Sequence, residues 1–189
     1  MQMAAGMDDG DMLLKAIEPI CSDDTAVTLM ERLAILGAVT MVKALRLMIA
    51  GTLPREPQDH AQATYASKMQ KADGQIDWSL PASLIERRTR AFEPWPGAFT
   101  FLPARAEKEA LPERIKILQA EVVRESVAGF EQAAPGTVCQ ITPVGPLVTT
   151  GDGLLCLTAV QPDGSRRMDG KSFLNGHPME PGDRFRSVL

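Results

Sequence analysis

Residues 74–98 read GQIDWSLPASLIERRTRAFEPWPGA, and the run Glu93-Pro94-Trp95-Pro96-Gly97 restricts the backbone more than any other stretch of the chain. Each proline locks φ, lacks an N–H and pushes the preceding residue out of helical conformation, so no helix can run through this segment. A helix arriving from upstream must stop at Glu93, and the chain should leave stiffly extended with Trp95 held in one place. Such a helix is expected. Ser79 can cap it and Pro81 suits its first turn. Leu84, Ile85, Ala91 and Phe92 recur at helical spacing, with Glu86, Arg87, Arg88 and Arg90 mostly between them.

Downstream of Gly97 the texture changes to short segments rich in Ile, Val, Leu and Thr, separated by Pro and Gly. Strands are expected at 98–102, 114–123, 136–142, 146–150 and 154–160. Gly151-Asp152-Gly153 should form a tight hairpin and Pro162-Asp163-Gly164 a second turn. Five short strands in so short a span suggest a small closed barrel of the OB type, which also removes exposed edges.

Upstream of the junction, residues 1–3 resemble the end of a buried strand, 4–11 form a loop rich in Gly and Asp, and 12–20 should return as a second strand. A domain seldom starts at the tail of a core strand, and the chain is therefore expected to be a fragment. Ser22, Asp23 and Asp24 offer caps for a helix whose stripe Leu29, Leu33, Leu36, Val39 and Val42 should cover the remnant of a parallel sheet, with a possible break at Gly37. Gly51, Pro54 and Pro57 then mark a linker, which continues as a short helix over 61–71. The expected organisation is an α/β remnant over 1–52, a helical linker over 53–96 and a β-barrel over 97–189.

Apolar residues make up 44% of the chain and charged residues 23%, as in an ordinary folded protein. The apolar region 26–51 is interrupted by Glu31, Arg32, Lys43 and Arg46, so it should not span a membrane, and the N-terminus lacks the pattern of a secretory signal. A net charge of -4 leaves no global basic footprint, so nucleic-acid contact must come from local patches. Cys21, Cys139 and Cys156 fit no zinc spacing and read as buried reduced thiols of a cytoplasmic protein, with no metal site. Trp78 and Trp95 could stack on bases, but large aromatics at a junction more often fill it.

The IDW run and the helix ending RAFEPWPGA resemble the junction into the C-terminal domain of the methionyl-tRNA formyltransferase family. Three further runs resemble that family in the same order: MDDGDMLL at 7–14, ATYASKM at 63–69 and VTTGDGLLCLTAVQPDGSRRM at 148–168. The resemblance implies a formyltransferase Rossmann-like domain ending in the first segment, followed by an OB-like C-terminal barrel. It also implies transfer of the formyl group of 10-formyltetrahydrofolate to the amino group of methionyl initiator tRNA.

By spacing alone the loop carrying Asp8, Asp9, Gly10 and Asp11 is a hydrated turn, and it does not match the EF-hand pattern for calcium. The resemblance aligns Asp8 with the carboxylate that orients and electrostatically supports a histidine, which works with an asparagine on the formyl carbonyl. Gly6, Met7 and Asp8 become candidate folate contacts. Chemically, an amine attacking a formyl carbon needs donors for the developing oxyanion and a route for its proton, and a carboxylate beside an imidazole orients it and raises its pKa. The family carries its Asn-x-His element upstream of the Asp loop. The chain's only histidines, His60 and His177, are read as having no Asn at that spacing before them and as exposed loop residues, so the chain by itself is expected to be inactive.

Lys68 and Lys71, otherwise solvated charges on a linker, become candidate phosphate contacts through the resemblance, and so does the local basic cluster Arg166, Arg167 and Lys171. The implied partner is initiator methionyl-tRNA, bound by a monomer. A non-catalytic RNA-binding module made of linker and barrel is the alternative.

Overall fold

In the computed structural model, which describes residues 1–103, 113–125 and 127–186, the chain divides into two units, Met1–Lys68 and Met69–Leu189. The first unit is built on helix α1 (Ala26–Ile49). Thr25, not Ser22, Asp23 or Asp24, caps it: the Thr25 hydroxyl accepts the Thr28 N–H at 3.3 Å, and the Thr28 hydroxyl accepts the Thr25 N–H at 3.0 Å. The helix runs unbroken through Gly37. It stops at Gly51, whose φ of 69° lets the N–H groups of Gly51 and Thr52 close on the carbonyls of Met48 (3.1 Å) and Leu47 (3.0 Å).

Asp24 is buried for a different reason. Its carboxylate accepts the Cys21 N–H at 2.7 Å and a guanidinium N–H of Arg32 at 2.8 Å, while Arg32 also donates to Glu18 at 2.6 Å and to the Pro19 carbonyl at 2.9 Å. Arg32 first, and then the Cys21 N–H, hold the Asp24 carboxyl well below the usual carboxylate range. A carboxylate depressed in this way adds stability above its unfolded pKa of about 4 and loses it as pH falls toward the folded value. Helical signal is therefore expected to decline on acidification below about pH 4, and Arg32→Ala should flatten that limb. Far-UV circular dichroism of both proteins across the acid range checks this.

No side chain of α1 is buried. Leu33, Val39 and Val42 of the expected packing stripe are exposed, Leu29 and Leu36 are half-buried, and Ile35, Met41 and Ile49 on other sides are exposed as well. Among the described residues of the first unit, no sheet lies under the stripe. The strands expected at 1–3 and 12–20 do not form, because a strand needs a neighbour for its N–H and C=O groups. Among the described residues, Met12 pairs only with Glu56, through reciprocal bonds of 2.8 and 2.9 Å, and Gln2 N–H reaches the Asp11 carbonyl at 2.8 Å. The expected α/β layering of residues 1–52 is thus absent from the described residues.

The second unit begins by threading residues 75–80 along its sheet. Ile76 N–H bonds the Phe99 carbonyl at 2.8 Å, and Gly151 N–H bonds the carbonyls of Trp78 and Leu80 at 3.0 and 3.1 Å. A Cβ at Gly151 would overlap the Ser79 carbonyl, so only glycine permits this approach. Helix α2 (Ala82–Ala91) follows with Pro81 at its cap, two residues later than expected: the Ser79 hydroxyl bonds Asp77 at 2.6 Å rather than the helix end. Ala82, Ile85 and Thr89 form its buried face.

The strands are β1 (Phe99–Phe101), β2 (Arg114–Val123), β3 (Val138–Ile141), β4 (Pro146–Thr149), β5 (Leu154–Pro162) and β6 (Met168–Asp169), all pairing antiparallel. Their order is β1-β2-β5-β4-β3, with β6 also on β5. This ladder does not itself close into the expected barrel. The last segment lies across the gap: Gly182 N–H reaches the Val138 carbonyl (2.9 Å), Val138 N–H reaches Asp183 (2.7 Å), Phe185 N–H reaches Gly136 (2.9 Å) and Arg186 N–H reaches Phe101 (2.9 Å).

β5 is buried on both faces. Leu155, Leu157 and Val160 join a core with Ile115, Ile117, Val138, Val148, Phe173 and Trp78, while Leu154 and Cys156 face a smaller cluster with Cys139 and Leu147. Two elements were not expected from the sequence. β6 leads into helix α3 (Gly170–Gly176), capped by Asp169, whose carboxylate accepts the Ser172 N–H at 2.7 Å, and Phe173 is wholly buried from that helix.

Candidate functional site

The loop over residues 6–11 lies against residues 56–60 of the same unit. Asp8 adopts φ of 52°, the left-handed region that Asp tolerates better than most residues. The Gln58 side-chain amide donates to the Asp8 carbonyl at 2.8 Å and to the Gly10 carbonyl at 2.7 Å. His60 Nδ1 stands 3.1 Å from an Asp9 carboxylate oxygen, and Lys15 pairs with Glu56 at 2.7 Å. Next to these, Asp59 accepts the Gln62 side-chain amide (2.7 Å) and the Ala61 N–H (3.0 Å), which in that order lower its pKa. Met7, Asp8, Asp9, Pro57, Gln58 and His60 are among the residues lining an open pocket of about 450 Å³.

The structure therefore brings Met7 and Asp8 to one pocket wall, with Gly6 packed against the Asp9 carboxylate. Gln58 and His60 line the same pocket. Gln58 carries no signal in the sequence, because its partners lie about 50 residues away. His60 is exposed as expected, but its ring meets the Asp9 carboxylate rather than standing as a bare loop residue. Asp8, Asp9 and Asp11 belong to no cluster of three metal-type ligands among the described residues.

His177 differs more from expectation. The letters Asn175-Gly176-His177 do spell an Asn-x-His spacing, which the expectation of two bare loop histidines passes over. They lie at the end of α3 in the second unit. The His177 ring stacks on Phe173 with centroids 4.7 Å apart, and its Nε2 is 3.3 Å from Glu113.

The candidate cations fall in different settings. The helix expected over 61–71 is replaced by a single tight turn at His60–Gln62, an extended run and a second turn at Lys71–Gly74. A helix this short with no buried face is below the length that sustains itself. Lys68 is exposed on the extended run, and Lys71 is exposed at the start of the second turn. Arg166 and Arg167 are exposed between the turn at 162–165 and β6, and Lys171 is exposed in the first turn of α3. None of these three makes an ion pair among the described residues.

Of the two tryptophans, Trp78 fills the core as expected. It is 3% exposed, donates from Nε1 to the Thr100 hydroxyl at 3.1 Å and stacks on Phe185 at 5.5 Å. Trp95 does not. The PWPG run folds into a turn closed by Gly97 N–H on the Phe92 carbonyl at 2.9 Å, rather than leaving extended, and Trp95 is 55% exposed. Burial raises the thiol pKa of Cys139 and Cys156, as expected for inert core cysteines, whereas Cys21 is exposed.

Residues 68–178 match the family model described as formyl transferase, C-terminal domain. The chain is 41% identical over 185 residues to methionyl-tRNA formyltransferase of Thiobacillus denitrificans, covering 98% of this chain and 56% of that protein. Against the enzyme of the same name from Hahella chejuensis it is 42% identical over 176 residues, covering 93% and 52%. It thus spans about half the length of the curated relatives it matches. Among solved structures, HypX from Aquifex aeolicus is similar in fold, with a TM-score of 0.59 at 18% identity, over 98% of this chain and 34% of that one. No helix of the described residues is long and apolar enough to cross a membrane.

Proposed function

Because the chain belongs to the formyl transferase C-terminal domain family, we propose that it is the later part of a cytoplasmic, monomeric methionyl-tRNA formyltransferase. The reaction would pass the formyl group of 10-formyltetrahydrofolate to the amino group of methionyl initiator tRNA. Identity of 41% along 185 residues to a protein of that name carries the reading.

Several features support the division of labour within it. Residues 1–52 are assigned to the end of the folate domain. The apolar residues of α1, Leu33, Ile35, Val39, Met41 and Val42 among them, stand exposed, which suits a helix that packs within a larger domain. Residues 53–96 are the linker and 97–189 the tRNA-contacting domain, an OB-like barrel in which residues 182–186 bridge the gap between β1 and β3.

The pocket beside Asp8 fits a folate: it is open, offers carboxylate acceptors for the N–H groups of a pterin, and has Met7 and Pro57 as apolar ground. Gly6, Met7 and Asp8 would hold the donor, which when bound supplies the formyl carbon. Asp8 would accept a hydrogen bond from an imidazole contributed outside this chain, fixing its orientation and keeping its protonated form available. Asn175 and His177 are not assigned to that pair, since His177 is engaged with Phe173 and Glu113. The chain alone is accordingly proposed to be inactive.

On the tRNA side, Lys68, Lys71, Arg166, Arg167 and Lys171 are proposed as phosphate contacts on a chain of net charge -4. Each neutralised phosphate steepens the log-log salt dependence of binding by roughly 0.7 to 0.9. Arg166→Ala with Arg167→Ala should therefore weaken tRNA binding and flatten that slope by about 1.5. A salt titration with initiator and elongator tRNA tests this: equal slopes for native and double-variant protein would remove the cluster from the interface. Strong discrimination between the two tRNAs by this chain alone would show that initiator identity is read here rather than in the folate domain.

A further inference from the structure

The Asp8 carboxylate makes no hydrogen bond or ion pair among the described residues, so its aim is set by its backbone. That backbone is in the left-handed region, where an L-residue costs roughly 1–2 kcal/mol, and some contact must hold it. The Gln58 amide is that contact. Its two N–H groups diverge from one nitrogen in a fixed plane, and they meet the carbonyls of Asp8 and Gly10 at 2.8 and 2.7 Å. The clamp also stands on a firm base. Two residues before it, Glu56 is tied to Met12 by reciprocal backbone bonds, and the residue after it, Asp59, caps the turn at His60–Gln62. On the loop side Gly10 is buried, and a Cβ there would overlap the Gln2 carbonyl.

We propose that Gln58 is a positioning residue for formyl transfer: its amide, seated on the carbonyls of Asp8 and Gly10, holds the left-handed turn that aims the Asp8 carboxylate. This rests on the assignment of Asp8 above. The linker is thereby part of the catalytic apparatus rather than only a tether, and a displacement of the carboxylate by about 1 Å would cost on the order of 100-fold in rate.

Gln58→Glu tests the clamp, since it keeps the shape and replaces the donors by acceptors. In a protein of the relatives' full length carrying this chain, it should lower kcat about 10- to 100-fold and leave the KM for tRNA unchanged. As pH falls and the new carboxyl takes up a proton it regains one donor, so the deficit relative to the native enzyme should shrink; a purely structural loss would not recover. In the 189-residue chain, exchange of the Gln2 and Met12 amides, which donate to the Asp11 and Glu56 carbonyls and close the loop, should quicken in Gln58→Glu and in Gln58→Ala, with protection in β2 and β5 unchanged as the check on folding. Asp8→Asn is measured beside them. A normal kcat in both Gln58 variants with an inactive Asp8→Asn overturns the positioning role alone. A normal kcat in Asp8→Asn overturns the assignment of Asp8, and the positioning role falls with it. Unchanged exchange in the loop shows that Gln58 does not hold it.

Discussion

Replacing Asp8 by asparagine in a protein of the relatives' full length is expected to lower kcat by about 10³- to 10⁴-fold, with little change in stability or in the KM for tRNA. The magnitude follows from the analogous change in a Ser-His-Asp triad, where an amide keeps the shape but loses the charge and presents a donor to the imidazole. Folding should survive, because the Asp8 side chain is exposed and the contacts that hold the loop run through its carbonyl and that of Gly10. Equal falls in kcat and kcat/KM would mark an interaction made in the transition state. Single-turnover kinetics with saturating donor separate this from slow product release. A rate within a few-fold of native would leave the loop as an ordinary turn.

Truncating Phe173 to alanine is expected to cost the second unit about 3–5 kcal/mol, the range for removing a large aromatic from a packed core. Phe173 is 0% exposed and shares the core with Leu155, Leu157 and Val160 of β5. Its ring also supports the His177 imidazole at 4.7 Å, so the loss extends to the end of α3. A fall in Tm of roughly 10–20 °C should follow for a unit of this size. Calorimetry checks it: a shift below about 3 °C would mean that α3 folds over the cavity or is dispensable to the core. Ser172→Ala, which removes a hydroxyl bonded to the exposed cap Asp169 at 2.8 Å, should by comparison cost well under 1 kcal/mol.

Much of the second unit was legible because its signals are local. The boundaries of β2 at residues 114–123 and the start of β5 at Leu154 coincide with the expected strands, and the hairpin at 151–153 and the turn after Pro162 fall where Gly and Asp predict. α2 ends before the prolines that cannot continue it. The first unit was less legible. Among the described residues, 12–20 have a strand's composition but no strand neighbour beyond Glu56, and α1 has a packing stripe of which no side chain is buried. Composition states what a segment can pair with, whereas pairing requires the partner.

The candidate site divides in the same way. Asp8 stands out in its loop only through the family resemblance, since by spacing alone the loop reads as a hydrated turn. Gln58, which holds Asp8 in place, does not stand out at all, because a glutamine in a proline-rich segment has no spacing that points 50 residues back. The exposed position of Trp95 was equally hidden, since one tryptophan already fills the junction and the chain does not say which.

By itself the sequence determined where helices must stop, which segments have the residues of strands, and where the turns fall. These are matters of φ limits, side-chain branching and hydrogen bonds between near neighbours. Only the tertiary structure decided that β5 is buried on both faces, that β6 and α3 bring Phe173 into the core, that residues 182–186 lie between the edges of the sheet, and that Gln58 clamps the turn at Asp8. Each of these depends on donors and acceptors, or apolar surfaces, that are distant along the chain, and the energy of such a contact exists only once folding has made them adjacent.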